Sequence, residues 1–331
     1  MNFDKSSKSN NLFIKHIGAK YPIICGAMYP CSNPELVAAA SEGGGIAIVQ
    51  PVSLTFVHGY DLREGIRYIR SLTNKPIGFN ALIEKGSKKY LDRMSIWIDI
   101  ALEEGIRFFV TSLGKPDWVC KKVHEFDGFV YHDVTNRLWA QKGQDNGVDG
   151  LICVNNRAGG HLGDYSMENM YNDIADLGLP MICAGGIGSE VELKKAINLG
   201  YQGVQMGTRF IATNECNTSE DYKAAIIQAS EEDIVMTKKM TGVPISVIKS
   251  KYYKEENPWF IQKLLQGRFK HTIRMLLNLN SFIRLKYLSK SKSKNKDKKK
   301  QYYSAGKSVN TVKNIKSATD IMRTLGTSLI N

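Results

Sequence analysis

The chain has 331 residues, of which 43% are hydrophobic, and a formal net charge of +13. That length exceeds an ordinary single domain but suits an α/β barrel, and the apolar fraction suffices for a large core. No apolar run reaches the ~18 residues of a membrane-spanning helix, and the polar residues 1–10 lack the apolar centre of a signal peptide. A cytoplasmic protein without a membrane span is therefore expected.

The cysteines are Cys25, Cys31, Cys120, Cys153, Cys183 and Cys216, with no Cys-x-x-Cys pair among them. This spacing indicates no cysteine-ligated metal or iron–sulfur centre, and no metal is expected. Cys153 and Cys183 fall in predicted core strands, where a free thiol acts as a small hydrophobe. The charge is uneven: residues 249–300 hold sixteen Lys or Arg against three acidic residues, which accounts for the whole excess. The rest is a neutral globule with one basic segment.

In chain order, residues 1–20 read as an N-terminal arm. From Tyr21 onward, short β-branched or aromatic runs alternate with amphipathic stretches. The predicted strands are 22–27, 45–49, 76–80, 107–111, 128–132, 150–154, 180–184 and 203–206. Predicted helices lie at 33–42, 61–71, 88–103, 167–177 and 189–199, the last opened by Ser189 with Glu192 as its capping-box partner. Eight strands alternating with helices predict a parallel sheet closed as a (β/α)8 TIM barrel over residues 21–240. An open doubly wound sheet is the weaker alternative, because no G-x-G-x-x-G follows the first strand.

The pattern changes after Thr241. Residues 241–300 read as a basic helical insertion or lid, helical over 258–288 and followed by a lysine/serine run, 289–300, that cannot pack. Residues 301–331 read as a return segment ending in a helix at 317–325. The basic helix admits three readings: a lid over the barrel mouth, a membrane-surface helix, or a dock for an acidic partner. The lid is the default, since order returns to the barrel afterwards. Nucleic acid is not expected, because the charge is confined to one low-complexity run.

Function in such a barrel lies at the C-terminal strand ends. Here these are Gly26 to Tyr29, Gln50, Asn80, Thr111-Ser112, His132-Asp133, 155–163, 185–188 and Gly207-Thr208. Three of these loops are glycine-rich: Asn155-Asn-Arg-Ala-Gly-Gly-His-Leu-Gly163, Ala184-Gly-Gly-Ile187 and Gln205-Met-Gly-Thr-Arg-Phe210. Glycine lets the backbone approach a ligand and present its N–H groups. Two such turns on adjacent strands suit one shared phosphate, with Thr208 adding a hydroxyl. Arg209 reads as a salt-bridged structural residue. His161 follows Ala-Gly-Gly, where no bulky neighbour buries it, and its imidazole suits proton abstraction near neutral pH. His132-Asp133 could form a polar dyad, but a structural histidine bonded to a loop is the commoner case. His16, His58, His124 and His271 read as surface residues.

Together these residues resemble the nitronate monooxygenase family, formerly the 2-nitropropane dioxygenases. Ala158-Gly-Gly-His161 with Gly163 is similar to the family's Ala-Gly-Gly-His-x-Gly signature. Ala184 to Ile187 and Gln205 to Phe210 are similar to its two flavin-phosphate motifs, and Ser304-Ala-Gly306 to its late Ser-Ala-Gly turn. The resemblance implies a barrel holding FMN non-covalently. It places Ala27, Met28 and Asn80 near the flavin ring. It places Gly159, Gly185, Gly186, Gln205, Met206, Gly207 and Thr208 around the ribityl phosphate, and it makes His161 the catalytic base. Two departures stand out: Arg157 replaces the family's usual Glu, and Val154 a frequent Gln, and either change alters the substrate pocket.

The implied activity is FMN-dependent oxidation of an alkyl nitronate with dioxygen. The same motifs resemble NAD(P)H-dependent flavin reductases acting on enoyl- or acyl-ACP or on quinone, for which the basic segment 258–300 would dock the acidic acyl carrier protein. A reading of another class is a non-catalytic, membrane-associated flavin-binding protein.

Overall fold

The computed structural model describes residues 11–83, 88–237, 244–249 and 303–330. Residues 1–10, most of the predicted basic insertion including 258–300, and His271 lie outside the described residues. Eight parallel strands close into a barrel in sequence order: β1 Ile23–Cys25, β2 Ile46–Val49, β3 Ile77–Leu82, β4 Phe108–Ser112, β5 Phe129–Val134, β6 Gly150–Val154, β7 Met181–Ala184 and β8 Gly203–Met206. The TIM-barrel expectation holds.

Strand period decides what faces inward. Ile24 pairs with Ile46, Ile48 with Gly78, Gly78 with Phe108 and Val110 with Tyr131. These positions, with Ile152 and Ile182, fill the barrel. Their alternates, among them Phe79, Phe109, Leu151, Cys153, Cys183 and Met206, pack outward beneath the helices. Both rows are apolar, as parallel strands buried on two faces require.

β3 and β5 each run two residues past the expected ends at 80 and 132, to Leu82 and Val134. The helices are α1 Leu12–Ile17, α2 Pro34–Glu42, α3 Leu62–Leu72, α4 Lys88–Glu103, α5 Asp117–His124, α6 Arg137–Asp145, α7 Met167–Ile174, α8 Glu190–Leu199, α9 Thr208–Ile211, α10 Glu220–Gln228 and α11 Ala318–Ser328. Both halves of the Ser189–Glu192 capping box form. The predicted helix at 167–177 breaks after Ile174 into a 3-10 turn that ends at Gly178 with φ 73°. α1, α5, α6, α9 and α10 were not among the predicted helices. α5 has no side-chain cap and buries only Val119, Cys120 and Val123, too short a stripe to stand out.

α1 seals the barrel floor. Asn11 caps it by accepting the Ile14 N–H at 3.0 Å and donates to the Gln202 carbonyl at 2.8 Å. Phe13, fully buried, lies with its ring 6.0 Å from Phe108 and 5.5 Å from Tyr131. Gly203 leaves it room, since a β-carbon there would stand 2.7 Å from the Phe13 ring. His16 stacks on Phe129 at 4.0 Å and lies 3.1 Å from the Tyr131 hydroxyl, so it belongs to the floor and not to the surface. At the other chain end, α11 packs against α2 and α8. Its Thr319 hydroxyl donates to the Ala39 carbonyl at 2.8 Å.

An antiparallel ribbon, β9 Ile234–Thr237 with β10 Ile245–Ile248, stands outside the barrel. β10 also bridges to Gly160 and to Ser304. No described helix is long and apolar enough to cross a membrane.

Candidate active site

The mouth is assembled from three loops that pin one another. Asn155, fully buried after β6, donates from Nδ2 to the Gly185 carbonyl at 3.0 Å and accepts the Arg157 N–H on Oδ1 at 2.8 Å. Gly185 and Gly186 have φ of 120° and 77°, backbone that a β-carbon disfavours. A β-carbon on Gly185 would also stand 2.2 Å from Asn155 Oδ1, and one on Gly186 2.7 Å from Arg157 Nε. Packing of the β6 loop therefore accounts for part of this glycine requirement.

The return turn Ser304-Ala-Gly306 seats on the same place. The Gly306 N–H donates to Thr208 Oγ1 at 3.0 Å. A β-carbon on Gly159 would lie 2.8 Å from the Gly306 nitrogen. The Ser246 N–H of β10 donates to the Gly160 carbonyl at 2.9 Å, and the Ser304 hydroxyl donates to the Ser246 carbonyl at 3.2 Å. The Tyr222 hydroxyl donates to the Ser304 carbonyl. Motifs up to about 150 residues apart in sequence thus meet around Gly159 and Gly160.

His161 lies at the rim with its side chain exposed, yet the surrounding loop desolvates the ring and lowers its pKa. The shift favours the neutral imidazole. Across the mouth, Ala27 and Met28 follow β1 half-buried, and Met28 Sδ would lie 3.5 Å from a β-carbon on Gly207. Asn80 faces in from β3, in register with Val110. Gln205 faces in from β8, where a β-carbon on Gly26 would stand 3.0 Å from its Cγ. Met206 points the other way and is buried beneath the helices. It offers the mouth only main chain, and its carbonyl already accepts the Gly26 N–H at 3.0 Å.

Strand alternation splits the His132-Asp133 pair. His132 faces outward, 2.8 Å from Thr111 Oγ1, and burial pulls its pKa down to about 4. It is a structural histidine. Asp133 faces inward beside Ile152, and burial pushes its carboxyl up to about 7. Its Oδ1 and Gln205 Oε1 are buried without a hydrogen-bond partner.

The charged departures are neutralised in place. Arg157 lies against Gly186 and makes a bidentate pair with Glu231 at 2.7 and 2.6 Å, and Lys307 reaches the same carboxylate at 3.3 Å. Arg209 is buried but has no acidic partner, contrary to expectation. Its Nη2 donates to the carbonyls of Ala212 and Asn314 at 3.0 and 2.8 Å, and burial lowers its pKa to about 10. His58 is also half-buried, with Nε2 unpartnered, and is not a surface residue. His124 is exposed and lies 2.9 Å from Asp149. Sequence reasoning missed Asn155 and Glu231. Asn155 lay inside a quoted motif, but nothing local revealed that its partner is the next strand's turn.

Among the described residues no group of side chains could hold a metal ion. Two orphaned acceptors, two left-handed glycines and walls including Val154, Ala184 and Met28 fit a ligand with hydroxyl or imide N–H donors, a flat apolar body and a phosphate. The fold and this mouth define a class: an α/β-barrel enzyme with its site among the loops after the strands.

The chain matches the nitronate monooxygenase family over residues 10–327 and belongs to it. The family is one of flavin-dependent oxidoreductases. The chain is 27% identical over 286 residues to a probable nitronate monooxygenase of Staphylococcus saprophyticus, covering 73% of this chain and 79% of that protein. It is 25% identical over 278 residues to a (3aS,4S,5R,7aS)-5-hydroxy-7a-methyl-1-oxo-octahydro-1H-indene-4-carboxyl-CoA dehydrogenase of Mycobacterium tuberculosis, covering 82% of this chain and 74% of that one. Among solved structures, FabK from Thermotoga maritima superposes with a TM-score of 0.77 at 24% identity, over 96% of this chain and 95% of that one. A nitroalkane oxidase from Streptomyces ansochromogenes gives 0.73 at 18%, over 96% and 97%. At these identities the structural likeness is one of fold.

Proposed function

We propose that the protein binds FMN in the barrel mouth and oxidises alkyl nitronates with dioxygen, with His161 at the substrate. The observation that carries this reading is the convergence of the β6, β7 and β8 loops on one place, pinned through Asn155 to Gly185, Gly306 to Thr208 and Ser246 to Gly160, with His161 at the rim. Main-chain N–H groups at Gly185, Gly186 and Gly207, with the Thr208 hydroxyl, would hold the phosphate. Gln205 Oε1 would accept from the ribityl or ring donors, with Gly159 and the Met206 backbone beside it. Ala27, Met28 and Asn80 would flank the ring. FMN supplies the electron-transfer chemistry that no side chain offers.

The protein's own part is orientation and proton handling. Neutral His161 can take the α-proton of a nitroalkane on its free imidazole nitrogen. Its N–H can equally donate to an oxygen of a bound nitronate. The staphylococcal relative supports the nitronate reading.

A second reading, reduction or dehydrogenation of an acyl thioester with NAD(P)H as electron partner, is favoured by the mycobacterial relative, whose name specifies a carboxyl-CoA. The basic residues 249–300 suit docking of an acidic carrier such as acyl carrier protein.

Anaerobic mixing of the purified holoprotein with propionate 3-nitronate, NADH, NADPH and acyl-ACP in turn separates these readings. Loss of flavin colour near ~450 nm with the nitronate, restored by dioxygen, is expected. Bleaching by NAD(P)H alone would select the thioester reading. Bound FMN that no donor reduces would make the protein a non-catalytic flavin binder. Recovery of FAD alone, or of no flavin after reconstitution, would overturn the cofactor assignment.

A further inference from the structure

We propose that Tyr222, Ser304 and Ser246 are positioning residues for His161: three hydrogen bonds in series, from α10 through the return turn and the ribbon, end on the Gly160 carbonyl and hold the imidazole in its reacting orientation. The role rests on the reading of His161 as the base at the substrate.

The loop itself cannot supply that order. His161 stands between Gly159-Gly160 and Leu162-Gly163. Glycine has the greatest backbone freedom, so such a loop favours no single direction for the imidazole. Among the described residues nothing hydrogen-bonds the ring. The carbonyl of Gly160 shares a planar peptide unit with the His161 nitrogen. Fixing that oxygen therefore fixes the plane from which the His161 side chain departs.

Each link depends on the next. Gly160 and Ser246 form an isolated bridge and not a ladder, and the Ser246 N–H donates to the Gly160 carbonyl at 2.9 Å. The Ser246 carbonyl accepts the Ser304 hydroxyl at 3.2 Å, and the Ser304 carbonyl accepts the Tyr222 hydroxyl. Tyr222 is held from α10, and its ring stacks on Tyr303 with centroids 4.6 Å apart and 18° between planes. Burial pushes its phenol well above the usual range, so it stays a donor at neutral pH. Ser246 and Tyr222 are both buried, and water does not compete for their bonds. The series reaches the loop at Gly160 and not at the main-chain N–H groups proposed for the phosphate. It therefore bears on turnover and not on cofactor retention.

The test compares Ser304→Ala and Tyr222→Phe holoprotein with wild type on a neutral nitroalkane, whose α-proton His161 must take. Either variant should lower kcat roughly tenfold, between the loss of one hydrogen bond and the ~10²-fold cost of a 1 Å misplacement. KM should move less than about threefold, and FMN content should stay near wild type. Ser304→Thr keeps the hydroxyl and should return kcat to within about threefold of wild type. In a His161→Ala background the same two substitutions should change turnover less than about twofold, since no imidazole is left to position. Hydrogen exchange at the Ser246 amide should quicken in Ser304→Ala while the barrel strands keep their protection.

Wild-type kcat in both variants would overturn the proposal. Equal losses with and without His161 would show that the three residues act elsewhere in the site, and would overturn it too. Loss of FMN in parallel with kcat would assign them to seating the cofactor, with the same result. A wild-type rate for His161→Ala alone would instead refute the reading of His161 on which the inference rests.

Discussion

The two ends of this barrel are built by opposite rules. The floor is closed by α1, with Phe13, Phe108 and Tyr131 in mutual contact. The mouth keeps buried acceptors unpaired at Asp133 and Gln205 and holds glycines in left-handed backbone at 160, 185 and 186. Unpaired buried polar atoms cost free energy unless a ligand satisfies them. The contrast teaches that one closed sheet stores its stability at one end and leaves the other unfinished for binding.

The comparison can be broken at either end. The largest effect is expected at the rim. His161→Ala should lower turnover of a neutral nitroalkane by roughly 10²–10⁴-fold while FMN content stays near wild type, since general acid–base catalysis contributes on that scale. A preformed nitronate needs no deprotonation and should lose less. Wild-type rates on both forms would make the Ala-Gly-Gly-His loop structural.

At the floor, Phe13→Ala should cost about 3–5 kcal/mol of stability, as for other buried aromatic truncations. The remaining folded protein should bind FMN as before. A matching loss of flavin affinity at temperatures where the variant is folded would show that the two ends are coupled.

A smaller effect should appear in the pH dependence of the apoprotein. The Asp133 carboxyl rises from 3.8 to about 7 on folding, so the native state holds more protons than the unfolded chain between those values. Stability from this group is therefore highest below that window and falls as pH rises through it. Asp133→Asn should flatten that part of the profile and raise the apoprotein melting temperature at pH 8. An unaltered profile would mean that Asp133 is solvated. The smallest effect is expected from deleting residues 289–300, a run with nothing to bury, which should leave the melting temperature almost unchanged. A large drop would show that it packs.

Much of the barrel was legible because its determinants are local. Short β-branched runs, the turns between them and the Ser189–Glu192 box depend on residues within a few positions of one another, and each appears near its expected place. The glycine loops were legible for the same reason, since each sits directly after its strand. α1 escaped notice because six residues carry too little periodicity, and its role depends on Gln202 and Phe108, far along the chain.

The sequence by itself determined a parallel barrel, its strand order and a glycine-rich mouth carrying one histidine. It did not determine which of two adjacent residues, His132 or Asp133, faces that mouth. Both rows of a parallel barrel strand are apolar, so no polar alternation marks the inside. Only closure of the sheet, with its fixed register, turned Asp133 inward and His132 out. Only tertiary structure brought Glu231 to Arg157 and Gly306 to Thr208, across 74 and 98 residues. Such pairs leave no trace in local pattern, because the energy that joins them is released only once the chain between them has folded.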